Sequence, residues 1–261
     1  LLVFSISWLV GAVSARLFAP PGSRNTFTFL VGTPNWIYLP LPIAQELWGA
    51  DGVRAVLLCN VAAQLLLWSV GVALLRQQLF SRELLRKALL NPGIAAAVVG
   101  IALALSIPEA RSWRGLDLRQ TSSVALGAAK VVLEALHLLG SVTIPLSLVL
   151  IGAQLGGMTA TRSAGGRGLG ALVASRLLVA PLICVAMFQA LARSGWAIPT
   201  TPLRVATVVS AMPVAVTCGI IVERYGGSVP TAARAIVVTT LASILTVPLV
   251  VYAIVAWGGV G

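Results

Sequence analysis

The chain has 261 residues, of which 58% are hydrophobic and only 10% are charged. Soluble globular domains carry roughly 25% charged residues, so this composition excludes that class. The formal net charge is +11, but the basic residues stand in short segments between apolar runs and form no stripe interleaved with aromatic residues. This distribution argues against nucleic-acid binding.

Apolar runs recur along the whole chain, and many are as long as the roughly 17–25 residues that a membrane-spanning helix needs. We therefore predict an all-α polytopic membrane protein. Eight spans are expected, at about 1–17, 26–47, 54–75, 91–107, 130–157, 169–192, 203–222 and 231–257.

The second span is unusual because it contains Pro34, Pro40 and Pro42. A proline inside a helix removes a backbone donor and costs about 3 kcal/mol or more. Hydrocarbon offers no water to the carbonyls that are freed. The seventh span contains Pro213 at a comparable place. We predict helix breaks at Pro34, Pro40 and Pro213.

Basic residues predict the orientation of the spans. When the loops are assigned alternately to two sides, the side with the loop at 76–90 holds more Lys and Arg. Cytoplasmic loops are enriched in these residues, so this loop is predicted to be cytoplasmic. Arg176 lies inside the sixth span, and we expect its side chain to extend toward the cytoplasmic surface. The alternative for Arg176 is a functional role near the cytoplasmic gate.

An internal repeat links the two proline-containing spans. Residues 46–56 read ELWGADGVRAV, and residues 223–237 read ERYGGSVPTAARAIV. Each copy has Glu, an aromatic residue and Gly where a span ends, followed by Arg-Ala where the next span begins. The chain crosses the membrane five times between the copies, so their orientations are opposite. This arrangement is typical of inverted-repeat transporters.

Four stretches in order resemble the auxin efflux carrier family, which includes bacterial organic-acid permeases. They are Gly32 to Leu41 with the following ELWG, NPG at 91–93, Leu139 to Gly152 (LGSVTIPLSLVLIG), and Ala211 to Gly226 (AMPVAVTCGIIVERYG). The resemblance implies ten helices in two inverted five-helix repeats, with two broken helices that cross at mid-membrane.

On this resemblance the chain corresponds to eight of the ten helices and lacks the first two. Residues 1–75 would be the last three helices of the first repeat, 76–90 the cytoplasmic loop, and 91–261 the complete second repeat. The resemblance also implies location in the plasma (inner) membrane and suggests homodimers formed through scaffold helices.

The broken spans hold the candidate binding residues. A half-helix N-terminus presents unpaired N–H groups and about half a positive charge, which favours a carboxylate. We expect the carboxylate to be bound by Thr33, Asn35, Ser210 and Thr217, with an apolar pocket walled by Trp36, Tyr38 and Met212. An alternative for Thr33 and Asn35 is that they only satisfy carbonyls freed by the prolines.

The chain departs from the family pattern at this place. Thr33 stands where family members have Asn, with Asn35 two residues later, and Thr217 stands at the second customary Asn position. These departures leave the identity of the substrate open.

The leading functional hypothesis is a secondary transporter that moves small organic anions by alternating access. The alternatives are a sodium-coupled symporter of the bile-acid type and a truncated carrier-like protein that does not transport. An enzyme is disfavoured, because His137 is the only histidine and no metalloprotease motif is present. The sequence indicates no metal and no cofactor; the expected partners are a carboxylate and the lipid bilayer.

Overall fold

The computed structural model describes residues 1–77, 124–142, 166–195 and 199–256, together with scattered positions within 86–106 and 145–153. Throughout these residues the regular secondary structure is helical, and the only extended pairing is an isolated bridge between Pro34 and Val214. The all-α class is thus confirmed for this part of the chain.

The first two helices pack closely along each other. Helix α1 spans Leu2–Phe18 and α2 spans Arg24–Gly32. Their contact needs a small residue at Gly11, because a Cβ atom there would lie only 2.8 Å from the carbonyl oxygen of Thr28. The contact places the end of α2, where the second predicted span is interrupted, in the protein core.

Helix α3 spans Pro40–Leu66, but it consists of two helices that meet at Gly49. Gly49 has φ 56° and ψ −138°, a backbone conformation that is nearly restricted to glycine. The chain turns so sharply here that Gly52 lies against the carbonyl of Ala44. A π-helical turn, Leu67–Gly71, and helix α4, Val72–Arg76, continue the second part.

The described part of the second half of the chain is helical as well. Helix α5 spans Val124–Ser141, and α6 (Arg167–Ala174) continues through a π-helical turn (Ser175–Val179) into α7 (Ala180–Arg193). Helix α8 spans Thr200–Ser210, α9 spans Cys218–Tyr225 and α10 spans Val229–Ala256. Gly226 ends α9 with φ 96°, as Gly49 ends the first part of α3. The two glycines of the sequence repeat therefore have the same role in the backbone.

Within the described residues, three helical stretches are long and apolar enough to cross a membrane: Pro40–Arg76, Arg167–Leu191 and Val229–Val255. The outward surface of α10 is apolar, with Leu241, Ile244, Leu245 and Leu249 all exposed. Large exposed side chains of this kind suit a lipid environment. The protein is an integral membrane protein.

The predicted spans agree with these helices at 1–17, 54–75, 169–192 and 231–257. The span at 91–107 and much of the span at 130–157 lie outside the described residues; the helix in the latter region begins earlier than expected, at Val124. The five-plus-five inverted arrangement stays a prediction.

Candidate functional site

Two helix interruptions contact each other at the centre of the structure. Residues 33–39 separate α2 from α3, and residues 211–217 separate α8 from α9. The Asn35 N–H donates to the Pro213 carbonyl at 2.7 Å, and the Ala215 N–H donates to the Thr33 carbonyl at 3.0 Å. In a membrane such backbone groups have no water as a hydrogen-bond partner, so each interruption supplies hydrogen-bond partners to the other. We refer to this paired region, 33–39 and 211–217, as the crossing.

The predicted prolines occupy different places at the crossing. Pro34 and Pro213 lie within the interruptions, whereas Pro40 is the first residue of α3. Proline is well suited to the first turn of a helix, where its missing N–H would have no intrahelical partner. Pro40 and Pro42 thus begin a helix.

The hydroxyl groups of Thr33 and Ser210 serve the ends of their own helices. Thr33 Oγ1 donates to the Phe29 carbonyl, and Ser210 Oγ donates to the Thr207 carbonyl, both at 2.6 Å. Both side chains are buried. Their hydroxyls donate to carbonyls in the last turns of α2 and α8, where intrahelical donors are few.

A cavity of about 160 Å³ lies beside the crossing. It is bounded by the first interruption, the π-helical turn at Leu67–Gly71 and the beginning of α9. Its lining residues are Asn35, Trp36, Ile37, Tyr38, Gln64, Leu67, Trp68, Ala215, Thr217 and Ile221.

Asn35, which lines this cavity, has a buried hydrogen-bond donor without a partner. The side chain is only 2% exposed, and its Oδ1 accepts a hydrogen bond from the Tyr38 N–H at 3.0 Å. Its Nδ2 has no partner among the described residues. A buried donor without a partner costs about 1–3 kcal/mol, so an acceptor that enters the cavity would recover this energy.

The indole rings of the cavity wall are held by neighbouring amides. Trp36 Nε1 donates to Asn60 Oδ1 at 2.9 Å, and Trp68 Nε1 donates to Gln64 Oε1 at 3.1 Å. These bonds satisfy the polar edge of each indole. The rings are fixed in place and offer the cavity mainly carbon surface.

Two helix N-termini also lie near this cavity. Thr217 caps α9 without a side-chain hydrogen bond to the helix, and α3 begins just after Tyr38, at Pro40. Each helix N-terminus carries about half a positive charge. The cavity therefore combines a positive potential, an amide donor, a hydroxyl and an aromatic wall.

Arg176 corrects our expectation that its side chain extends to the membrane surface. It is fully buried in the π-helical turn at Ser175–Val179. Its Nη1 donates to the Val31 carbonyl at 2.7 Å, and its Nη2 donates to the Ser210 carbonyl. The guanidinium thus joins the C-terminal ends of α2 and α8. Charge-assisted hydrogen bonds to these carbonyls stabilise the buried side chain.

Some of the predicted site residues line the cavity, and the others do not. Asn35, Thr217, Trp36 and Tyr38 line the cavity, while Thr33 and Ser210 lie away from it and serve the helix ends. Met212 is also elsewhere, since it packs in a small cluster with Val208, Val247 and Ile254.

Six lining residues are additions to the predicted site, and the polar or aromatic ones among them are Gln64 and Trp68. Both lie in the third predicted span, 54–75, whereas Pro34 and Pro40 lie in the second, 26–47. Their spacing of one helical turn is the signal that places them on the same face.

The sequence model of the Mem_trans family, described as membrane transport protein, matches residues 76–251. This match includes α8, α9 and most of α10. No curated protein matches the chain. The match extends over more than half of the sequence and agrees with the resemblance to auxin efflux carriers, so the chain belongs to this family of membrane transport proteins.

Proposed function

We propose that this membrane transport protein is a secondary carrier of small organic anions, with carboxylates as its main substrates. The observation that carries the proposal is the buried, unpartnered Nδ2 donor of Asn35, a residue that lines a cavity near two helix N-termini. An amide N–H and two partial positive charges match a carboxylate and disfavour a cation.

The cavity also limits the size and character of the substrate. Its volume of about 160 Å³ is below the roughly 300–1,000 Å³ of most ligand pockets. In the proposed complex the carboxylate accepts hydrogen bonds from Asn35 Nδ2 and Thr217 Oγ1. The apolar part of the substrate lies against Trp36 and Trp68, so a small aromatic acid fits this chemistry best.

Transport would follow from movement of the crossing against the remaining helices. The main-chain bonds between the two interruptions make them one unit, in which both halves of the site move together. Alternating access by such a unit is the usual mechanism of inverted-repeat transporters, and we adopt the two inverted repeats as part of the proposal.

The test is uptake of labelled benzoate by proteoliposomes that contain the purified protein. We expect saturable uptake that excess unlabelled benzoate inhibits and that benzamide, the neutral analogue of similar shape, does not inhibit. The reason is that a positive site favours the charged carboxylate over the amide. Equal inhibition by benzamide, or no uptake of benzoate or of smaller carboxylates, would contradict the proposal.

A second prediction concerns Thr217. Thr217→Val keeps the shape of the side chain and removes the hydroxyl. A hydrogen bond to a charged group contributes about 1.5–3 kcal/mol, so the affinity for benzoate should fall about ten- to a hundredfold. The measurement is the concentration dependence of uptake.

Met212→Leu is the matched control for this substitution. Met212 is buried in the same interruption but packs outside the cavity, and the change conserves volume. We expect unchanged affinity. If Thr217→Val behaves like Met212→Leu, the hydroxyl of Thr217 does not bind the substrate.

A further inference from the structure

The arginine at the crossing occupies a position where a cation is needed. Helices α2 and α8 end there, at Gly32 and Ser210, and their last carbonyls point away from any intrahelical donor. Interrupted membrane helices commonly direct such carbonyl ends toward a bound cation. In this protein Arg176 donates to one carbonyl from each helix, those of Val31 and Ser210.

The charge of Arg176 is matched by these helix ends and by no carboxylate in the described part of the chain. The acidic residues in that part, Glu46, Asp51, Glu134 and Glu223, are all exposed. Asp51 forms an ion pair with Arg54 at the surface. An arginine side chain keeps its charge even when buried.

The local charges can be added up. Each helix C-terminus carries about −0.5 and each N-terminus about +0.5, so four half-helix ends sum to about zero. With Arg176 the C-terminal side becomes about neutral, and the N-termini of α3 and α9 leave the crossing with about +1. This net charge matches one monovalent anion and requires no second ion.

We propose that Arg176 is a built-in cation, which takes the place of a metal ion at the C-terminal ends of the crossing. This inference rests on the proposed binding of an anion in the adjoining cavity. Arg176 does not line that cavity, so it is a positioning residue that acts through the two helix ends. Removal of its charge should leave a vacant site for a monovalent cation, formed by the carbonyls of Val31 and Ser210.

The experiment compares the purified wild-type protein with Arg176→Gln and Arg176→Lys in sodium, potassium and choline chloride. Choline is too large to occupy the position of a guanidinium group between two carbonyls. For the wild type and Arg176→Lys we expect the same melting temperature in all three salts. Arg176→Gln should melt at a lower temperature in choline and recover part of the loss in sodium or potassium, because an ion that binds only the folded state stabilises it.

Benzoate uptake gives a second and separate readout. Wild-type uptake should be the same in sodium and in choline. Arg176→Gln should lose uptake about tenfold in choline and regain most of it in the salt that restores its melting temperature. Arg176→Lys should keep uptake that is independent of the salt.

The outcomes distinguish this inference from the proposed function. A wild-type protein that needs sodium for stability or uptake overturns the inference, and so does an Arg176→Gln variant that melts identically in all three salts. Absence of carboxylate uptake by a folded wild type refutes the proposed function while the melting comparison still tests the cation site. If Arg176→Gln does not fold in any salt, sodium dependence of the wild type or of Arg176→Lys still decides against the inference.

Discussion

Gly52→Ala is expected to destabilise the protein by about 3 kcal/mol or more, the upper range for overpacking. The two parts of α3 meet at Gly49, and a Cβ atom at position 52 would lie 2.3 Å from the Ala44 carbonyl oxygen. The obstacle is backbone, which cannot rotate away as a side chain can. The two helical parts must therefore separate. The measurement is the melting temperature in detergent, followed by tryptophan fluorescence.

Gly170→Ala is the control for this substitution. Gly170 also lies inside a helix, α6, but a Cβ atom there would meet nothing within 4 Å. Alanine has the higher helix propensity, by about 1 kcal/mol, so this variant should be as stable as the wild type or slightly more stable. Equal melting temperatures for the two variants would show that the contact at Ala44 can relax.

Asn35→Asp should abolish benzoate uptake while leaving the fold intact. The aspartate keeps an oxygen for the Tyr38 N–H and replaces the Nδ2 donor by a second oxygen. Two like charges about 4 Å apart repel by about 4 kcal/mol at an effective dielectric constant of 20, which corresponds to about a thousandfold loss of affinity. The measurement is benzoate uptake as the pH is raised, because the repulsion acts only when the buried carboxyl group is ionised.

The melting temperature of Asn35→Asp separates loss of binding from loss of structure. Because the turn between Asn35 and Tyr38 is retained, we expect it to remain near the wild-type value, and Met212→Leu provides the uptake control from the opposite interruption. Normal benzoate uptake by a folded Asn35→Asp protein would mean that the substrate carboxylate binds elsewhere.

The membrane class and several helices could be predicted because they depend on local composition. Helix α10 and the stretch Arg167–Leu191 are long apolar runs, and hydrocarbon leaves a helix as the favoured structure for them. The two helix interruptions could also be predicted from the sequence, since Pro34 and Pro213 disrupt a continuous helix. The start of α3 was less clear, because a proline such as Pro40 can either break a helix or begin one.

The pairing at the crossing, the position of Arg176 and part of the cavity lining depend on contacts between residues that are distant in sequence. Nothing in the local sequence of Asn35 indicates that its N–H meets the Pro213 carbonyl. The buried position of Arg176 does not follow from the sequence, since a basic side chain inside an apolar span usually extends toward the membrane surface. Its actual position depends on two helix ends from other parts of the chain and on the π-helical turn that carries it. Gln64 and Trp68 also reach the cavity through contacts with residues that are distant in sequence.

The main-chain pairing of the two interruptions has an evolutionary consequence. The bonds between Asn35 and Pro213, and between Ala215 and Thr33, use backbone atoms that every amino acid supplies except for the N–H of proline. Side-chain substitutions at these positions can therefore change the specificity of the cavity without breaking the main-chain bonds that join the two interruptions. Carriers built on such a crossing can therefore diverge in cargo while they keep the same framework.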